Sequence, residues 1–530
     1  MEKKEKETVQ LPENAFRELK DGEEYTPVMS PQQNYPEVTG WSVTWGILMA
    51  MLFSAAAAYL GLKVGQVFEA AIPIAIIAVG LSSASHRSKV LGENVIIQSI
   101  GACSGAVVAG AIFTLPAIYI LQAKYPEMSA SFLKIFISSL LGGVIGILFL
   151  IPFRKYFVSD MHGKYPFPEA TATTQVLVSG EKGGSQAKPL LLAGLVGGLY
   201  DFIVATLGWW NENFTSRVVD FGATIADKLK LVFKVNTGAA VLGLGYIIGF
   251  HYSLIITLGS LAVWWLIVPG MAFLFHDHVL SAWDPSITAT VGAMSPEQIF
   301  TSYGKSIGIG GIAMAGIIGI IKSWGIIKGA VSLAAGEMKG KDDTQKTVKR
   351  TQRDISFKVI AIGSAITILI TFLFFWFGVM DGNLLFAVVG ILLVTVIAFL
   401  FTTVAANAIG ACIAIVLTLC RIPALPFALG MFIPIQLNIP LLVGGAVNWF
   451  VTSRSKDAET NKQRGEKGTL LASGFIAGGA LMGVVSALLR FGGVELISDN
   501  WLANPLSELC SLVAYVLLIG YFVRATRESK

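Results

Sequence analysis

Long apolar runs separated by short polar loops fill the chain from Trp41 onward. They cover residues 41–62, 67–84, 93–121, 131–152, 189–210, 237–251, 253–275, 303–332, 358–380, 384–402, 403–420, 426–451, 469–491 and 507–524. A helix needs roughly 20 apolar residues to cross the hydrocarbon core, so the pattern predicts an all-α, polytopic integral membrane protein with about 14 transmembrane helices (12–16), some broken or re-entrant. Two junctions are tight enough for a re-entrant hairpin, Gly249 to Ser253 and Thr402 to Asn407. Short cytoplasmic loops carry an excess of Lys and Arg. With the N-terminus inside, the basic segments 87–89, 154–188, 339–358, 454–467 and 524–530 share one side, which predicts both termini in the cytoplasm. Residues 1–40 are then a polar cytoplasmic segment and 41–525 the transmembrane domain.

One run departs from the rest. Pro434 and Pro440 flank Gln436 and Asn438 inside the run 426–451, where a spanning helix would be near its middle. Each proline lacks an N–H, so the carbonyls of Gly430 and Gln436 are expected to lose their helical donors. Unpaired backbone at membrane depth is tolerated only against protein or a water-filled cavity, and broken helices of this kind form substrate sites in secondary transporters. The alternative is a proline-kinked structural helix whose two amides satisfy the freed carbonyls.

Internal similarity points to two related halves, 41–335 and 355–525, joined by a basic cytoplasmic loop 336–357. Ile100-Gly101-Ala102-Cys103 recurs as Ile409-Gly410-Ala411-Cys412, and the segment from Lys188 to Gly198 recurs from Lys467 to Gly479 in the same chain order.

Polar residues inside the runs supply the remaining candidates. Asn94 and Gln98 lie one helical turn apart, ahead of Gly101 and Gly105 on nearly the same face, and Glu93 is either a membrane-boundary carboxylate or a proton carrier. In Tyr165-Pro-Phe-Pro-Glu-Ala-Thr171-Ala-Thr173, Pro168 and Glu169 suit a first helical turn, giving either a re-entrant element or a surface helix. Tyr200-Asp201 interrupts the fifth run, and a carboxylate at that depth is a candidate for coupling. Glu69, near the start of the second run, is a weaker one. His276 and His278 offer only two of the three or more ligands a metal usually needs, so neither a metal nor another cofactor is expected.

Composition changes the picture little. The chain has 530 residues, 54% hydrophobic and 14% charged, with a net charge of +5 and a mean hydropathy of +0.68. Soluble proteins carry roughly 25% charged residues, and this chain falls well outside that class. Its four cysteines, Cys103, Cys412, Cys420 and Cys510, lie in or beside apolar runs without ligand spacing. Gly304-Lys305-Ser306 lacks the upstream glycine of a phosphate loop, so no ATPase is expected. Metalloprotease, serine-hydrolase and potassium-filter motifs are likewise missing, and no nucleic-acid partner is expected.

Taken together, Glu93-Asn94 with Gln98, the stretch from Tyr165 to Thr173, Gly198-Leu-Tyr200, Leu242-Gly-Leu-Gly-Tyr-Ile-Ile248 and Pro434 to Gly445 resemble the oligopeptide transporter family. The likeness is to its prokaryotic branch, related to yellow-stripe-like metal-chelate transporters, and covers residues 40–525. The chain lacks the Asn-Pro-Gly segment of the eukaryotic peptide branch and has Arg421-Ile-Pro-Ala-Leu-Pro426 where that branch carries Lys-Ile-Pro-Pro-Arg. The resemblance implies a proton-coupled importer of small oligopeptides in the cell membrane, not an enzyme. A symporter of metal chelates is the alternative, for which Lys322 and Lys328 offer cations. From another class, an enzyme acting on lipid-linked substrates would need a carboxylate cluster that the scattered acids do not form. The expected path comprises Pro434, Gln436, Asn438, Pro440, Asn94, Gln98, Tyr165, Thr171, Thr173 and Tyr200, with Glu93, Glu169 and Asp201 as proton carriers. Lipids surround it, and the pattern leaves room for a homodimer.

Overall fold

A computed structural model describes residues 11–64, 70–87, 89–124, 131–151, 168–181, 187–280, 288–338, 353–379, 404–494 and 496–527, with short pieces at 126, 154, 158–159, 162–163 and 382–384. In chain order the helices are α1 (Gly40–Val64), α2 (Ala71–Ala84), α3 (Leu91–Thr114), α4 (Pro116–Lys124), α5 (Phe132–Leu150), α6 (Pro168–Glu181) and α7 (Ala187–Phe202). A two-stranded ribbon, β1 (Asn213–Thr215) and β2 (Lys234–Asn236), encloses α8 (Asp220–Leu229). It is followed by α9 (Ala239–Ile248), α10 (Phe250–Leu261), α11 (Val268–Leu274), α12 (Pro296–Ile299), α13 (Lys305–Met338) and α14 (Phe357–Leu373). The last are α15 (Val404–Leu419), α16 (Ala424–Phe432), α17 (Ile435–Ser453), α18 (Ala458–Phe491), α19 (Asp499–Leu502) and α20 (Pro505–Arg527).

The expected all-α fold is thus mostly helical, and the antiparallel ribbon is its one departure among the described residues. Eight described helices are long and apolar enough to cross a membrane, and four more are apolar but shorter. The expected span at 384–402 and most of the basic loop 336–357 lie outside the described residues. Of the two suspected hairpin junctions, the one at Gly249 is a break between α9 and α10, where the chain turns through φ 81°. Beyond it α10, a π-helical turn and α11 run as one span, Phe250–Leu274, whereas α9 is too short to cross by itself.

Contacts divide the chain into two units. The first comprises 1–68, 84–167 and 322–402; the second comprises 69–83, 168–321 and 403–530. In the first, α1 lies close against α3, where a Cβ at Gly46 would meet Ile100 at 2.8 Å. Arg154 and Asp354 form an ion pair in the same unit.

In the second unit the repeat-related segments meet. α7 and α18 run parallel, and a Cβ at Gly198 would come 2.9 Å from the Gly478 carbonyl oxygen, while one at Gly478 would fall on the Gly194 carbonyl. Gly194-xxx-Gly198 and Gly474-xxx-Gly478 therefore form the small-residue seam of two closely crossing helices. Thr206 and Ser486 join their hydroxyls farther along the same crossing. Leu242, Tyr246, Phe475, Tyr515 and Phe522 fill the core beside it.

Outside the apolar helices, Glu297 on α12 accepts from Arg217 at 3.1 Å and forms an ion pair with Lys234 at 2.6 Å, which fastens the ribbon. Burial pushes the Glu297 carboxyl up, but Lys234 and then Arg217 outweigh it and hold it below the usual range. In the N-terminal segment Arg17, with help from the Lys20 amide, holds half-buried Glu23 down at about 2.

Candidate functional site

Pro434 takes an extended conformation, φ −57° and ψ 143°, between the last residue of α16 and the first of α17. Because it has no N–H, the Gly430 carbonyl loses its donor, and α16 ends with Ile433 N–H donating to Leu429. Asn438 repairs the break. Its Nδ2 donates to the Gly430 carbonyl at 3.1 Å and the Ile433 carbonyl at 2.9 Å. Two carbonyl acceptors fix that end of the amide as nitrogen. Asn438 Oδ1 and Gln436 Oε1 are then buried oxygens with no donor among the described residues. Pro440, inside α17, in turn deprives the Gln436 carbonyl of its helical N–H.

The break rests on α10. Cβ atoms at Gly430 and Gly259 would fall on the carbonyls of Ile256 and Phe427, so the two backbones touch. The Thr257 hydroxyl lies 2.8 Å from the Ser253 carbonyl and 3.0 Å from that of Asn438. Two features differ from the expected picture. The nitrogen of Asn438 closes the freed Gly430 carbonyl, whereas the structural alternative has both amides satisfy the freed carbonyls. The 19-residue α17 is also a candidate span by itself, so the break lies at the end of a spanning helix instead of its middle.

Asp201, on α7, is half-buried and caps a helix distant in sequence. Its Oδ1 accepts from Ala239 N–H at 2.8 Å and its Oδ2 from Ala240 N–H at 3.2 Å, at the start of α9. A carboxylate there meets unpaired N–H groups and the positive end of the helix dipole. Directly after it, a π-helical turn at Ile203–Leu207 frees backbone carbonyls, and Arg490 donates to that of Ala205. Tyr200 tilts against Trp210 with ring centroids 5.4 Å apart.

On α6, which starts at Pro168 as its sequence predicts, Thr173 is buried and Thr171 half-buried. Tyr165 and the side chain of Glu169 lie outside the described residues, as do Glu69 and the side chain of Lys328, while Lys322 is exposed.

Glu93, Asn94 and Gln98 belong to the other unit. Glu93 is 1% exposed and accepts from Arg87 at 2.8 Å and from the Thr39 hydroxyl at 2.6 Å. Arg87 also lies 5.2 Å over the Trp41 ring. Asn94 is buried and Gln98 half-buried. His276 pairs with neighbouring Asp277 at 2.8 Å, and no three His, Cys, Asp or Glu side chains gather as a metal site among the described residues.

Sequence reasoning missed Lys305, whose Nζ lies 5.0 Å over the ring of Phe432 at the end of α16. An isolated lysine early in the run 303–332 was the available signal.

A Haemophilus influenzae protein described as "Putative oligopeptide transporter" is 30% identical over 216 residues, 40% of this chain and 32% of that protein. The chain therefore aligns with about a third of that relative's length. The family model described as OPT oligopeptide transporter protein matches residues 37–412 and 406–490, nearly all of the membrane part. With that coverage, the chain belongs to the OPT oligopeptide transporter family, a family of polytopic membrane transporters and not of enzymes.

Proposed function

We propose that this protein is a proton-coupled importer of small oligopeptides in the cell membrane, with about 14 passes and both termini cytoplasmic. The observation that carries the reading is the break between α16 and α17, with two buried amide oxygens, Gln436 Oε1 and Asn438 Oδ1, that meet no donor among the described residues. A peptide backbone brings N–H donors at regular spacing, and a donor that meets a buried orphan acceptor removes its desolvation cost. Membership in a family of oligopeptide transporters supports the same substrate class.

For coupling, Asp201 is the stronger candidate. The charge of Glu93 is balanced by Arg87, whereas Asp201 is held by two backbone N–H groups, so its protonation would weaken the cap of α9. Glu169 stays in this proposal as a second carrier at the start of α6.

Uptake of a labelled tripeptide into proteoliposomes, with and without an imposed pH gradient, tests the function. Accumulation only when the lumen is alkaline supports it, and equal uptake without a gradient removes proton coupling. Orientation is tested separately with Lys346→Cys and Gln298→Cys on a background where the four cysteines are serine. An impermeant thiol reagent should label Gln298→Cys in intact cells and Lys346→Cys only after the cells are opened.

A further inference from the structure

Three departures from regular helix meet in one cluster of side chains. π-helical turns at Ala262–Ile267 and Phe300–Gly304 face each other, with the rings of Trp264 and Phe300 stacked at 4.5 Å. Met431 and Ile435, on either side of the α16/α17 break, pack into the same cluster. Gly308 backs onto Met431 and Phe432, where a Cβ would come 2.6 Å from the Phe432 nitrogen. That close approach brings Lys305, one turn earlier on α13, over the Phe432 ring.

Three hydrogen-bond donors belong to the elements that meet here, beside the unpaired oxygens of Gln436 and Asn438. Lys305 is half-buried, and its contact is the Phe432 ring, with no carboxylate at ion-pair distance among the described residues. Trp264 is 2% exposed, and its Nε1–H has no acceptor among the described residues. Among the described residues no side chain caps the start of α17, which leaves the N–H groups of Ile435 and Gln436 as first-turn donors. An ammonium, an indole N–H and the positive end of a half-helix offer no acceptor to one another. A carboxylate suits all three, as it does a broken-helix N-terminus, while the unpaired oxygens of Gln436 and Asn438 call for N–H donors on the same ligand.

We propose that the donors around this break, Lys305, Trp264 and the first turn of α17, bind a carboxylate of the transported molecule. The inference rests on the reading of the break as part of the transport path. Phe432 holds the ammonium by cation–π attraction until the carboxylate arrives. The two π-helical turns are points where the helices can adjust to admit it. The oxygens of Gln436 and Asn438 then take N–H groups of the same ligand, which fixes its direction.

Full-length protein in detergent is titrated with trialanine, trialanine C-terminal amide and ferric citrate, as wild type, Lys305→Gln and Lys305→Arg. Wild type should bind the free acid at least about tenfold tighter than the amide, the difference made by a charged hydrogen bond. Lys305→Gln should lose that preference while its affinity for the amide holds, and Lys305→Arg should keep it. Equal binding of acid and amide by wild type, or an undiminished preference in Lys305→Gln, overturns the carboxylate site and leaves peptide transport standing. If neither trialanine form binds, but ferric citrate binds and is weakened in Lys305→Gln, the peptide reading fails and the carboxylate site holds. Binding of none of the three probes to wild type overturns the site together with the peptide reading, whereas binding of the amide alone overturns only the site.

Discussion

Asn438 donates to the carbonyl of Gly430, eight residues back, and so replaces the N–H that Pro434 cannot supply. The same nitrogen serves Ile433, so one buried side chain holds both ends of the interrupted helix in register. Proline and asparagine act here as a pair, the first opening the backbone and the second closing it in a fixed, non-helical form. Gln436, two residues earlier, makes no comparable bond among the described residues, and its oxygen meets no donor there.

That difference predicts opposite outcomes for the two amides. Asn438→Leu leaves two buried carbonyls unpaired and should cost about 2–4 kcal/mol, seen as a lowered melting temperature in detergent. Gln436→Ala should melt as wild type does, and weaken tripeptide affinity several-fold through loss of one or two bonds of about 0.5–1.5 kcal/mol. A melting loss in Gln436→Ala with unchanged affinity would remove it from the path.

Arg87 and Glu93 make a second separable pair. Glu93 is buried and Arg87 partly exposed, so Arg87→Met strands a carboxylate and should destabilise by about 1–3 kcal/mol. The double replacement Arg87→Met with Glu93→Leu should recover most of that loss, since no charge is left unpaired. If the double variant still accumulates substrate under a pH gradient, Glu93 is a boundary ion pair; loss of accumulation with intact melting makes it a proton carrier.

The helices and their breaks were legible because hydrophobic length and proline chemistry are local properties. The run 426–451 broke at Pro434 and α6 began at Pro168, whereas the repeats at Gly194 and Gly474 were read only as related halves and their contact was not foreseen. The partners of the polar groups were not legible. Asp201 bonds the chain 38 residues on, and Lys305 reaches Phe432 far along the sequence; pairings of this kind are set by helix packing that no local pattern encodes. The ribbon was missed for a related reason, since its strands are three residues each and depend on Glu297 and Glu508 for support.

The ribbon also gives a pH prediction. The Glu297 carboxyl is held low by Lys234 and Arg217, so its contribution to stability is present above the unfolded carboxylate range and is lost as pH falls through the lower folded value. At pH 7, Glu297→Gln should lower stability by about 1 kcal/mol, the scale of a partly exposed ion pair. The gap in melting temperature between the two proteins should close as pH falls below about 4, where the unfolded-state carboxyl is already protonated. A gap that persists unchanged at low pH would show that Glu297 acts by packing and not by charge.

Asp201 offers the sharpest test of coupling, because its cap and its charge can be separated. Both carboxylate oxygens accept backbone N–H groups at the start of α9, and a Cβ at Gly479 would fall on Oδ2, so the side chain has little freedom. Asp201→Ala removes the cap and should cost about 1–2 kcal/mol of stability. Asp201→Asn keeps one acceptor for Ala239, turns a donor toward Ala240 and mimics the protonated acid without releasing a proton. If protonation of Asp201 drives the cycle, this variant should exchange labelled for unlabelled tripeptide across a vesicle at near wild-type rate while failing to accumulate it under an imposed pH gradient. Exchange needs only rebinding and return of the loaded carrier, whereas accumulation needs the proton to leave. Gradient-driven accumulation retained in Asp201→Asn would show that the carboxylate serves α9 alone and that the proton travels elsewhere.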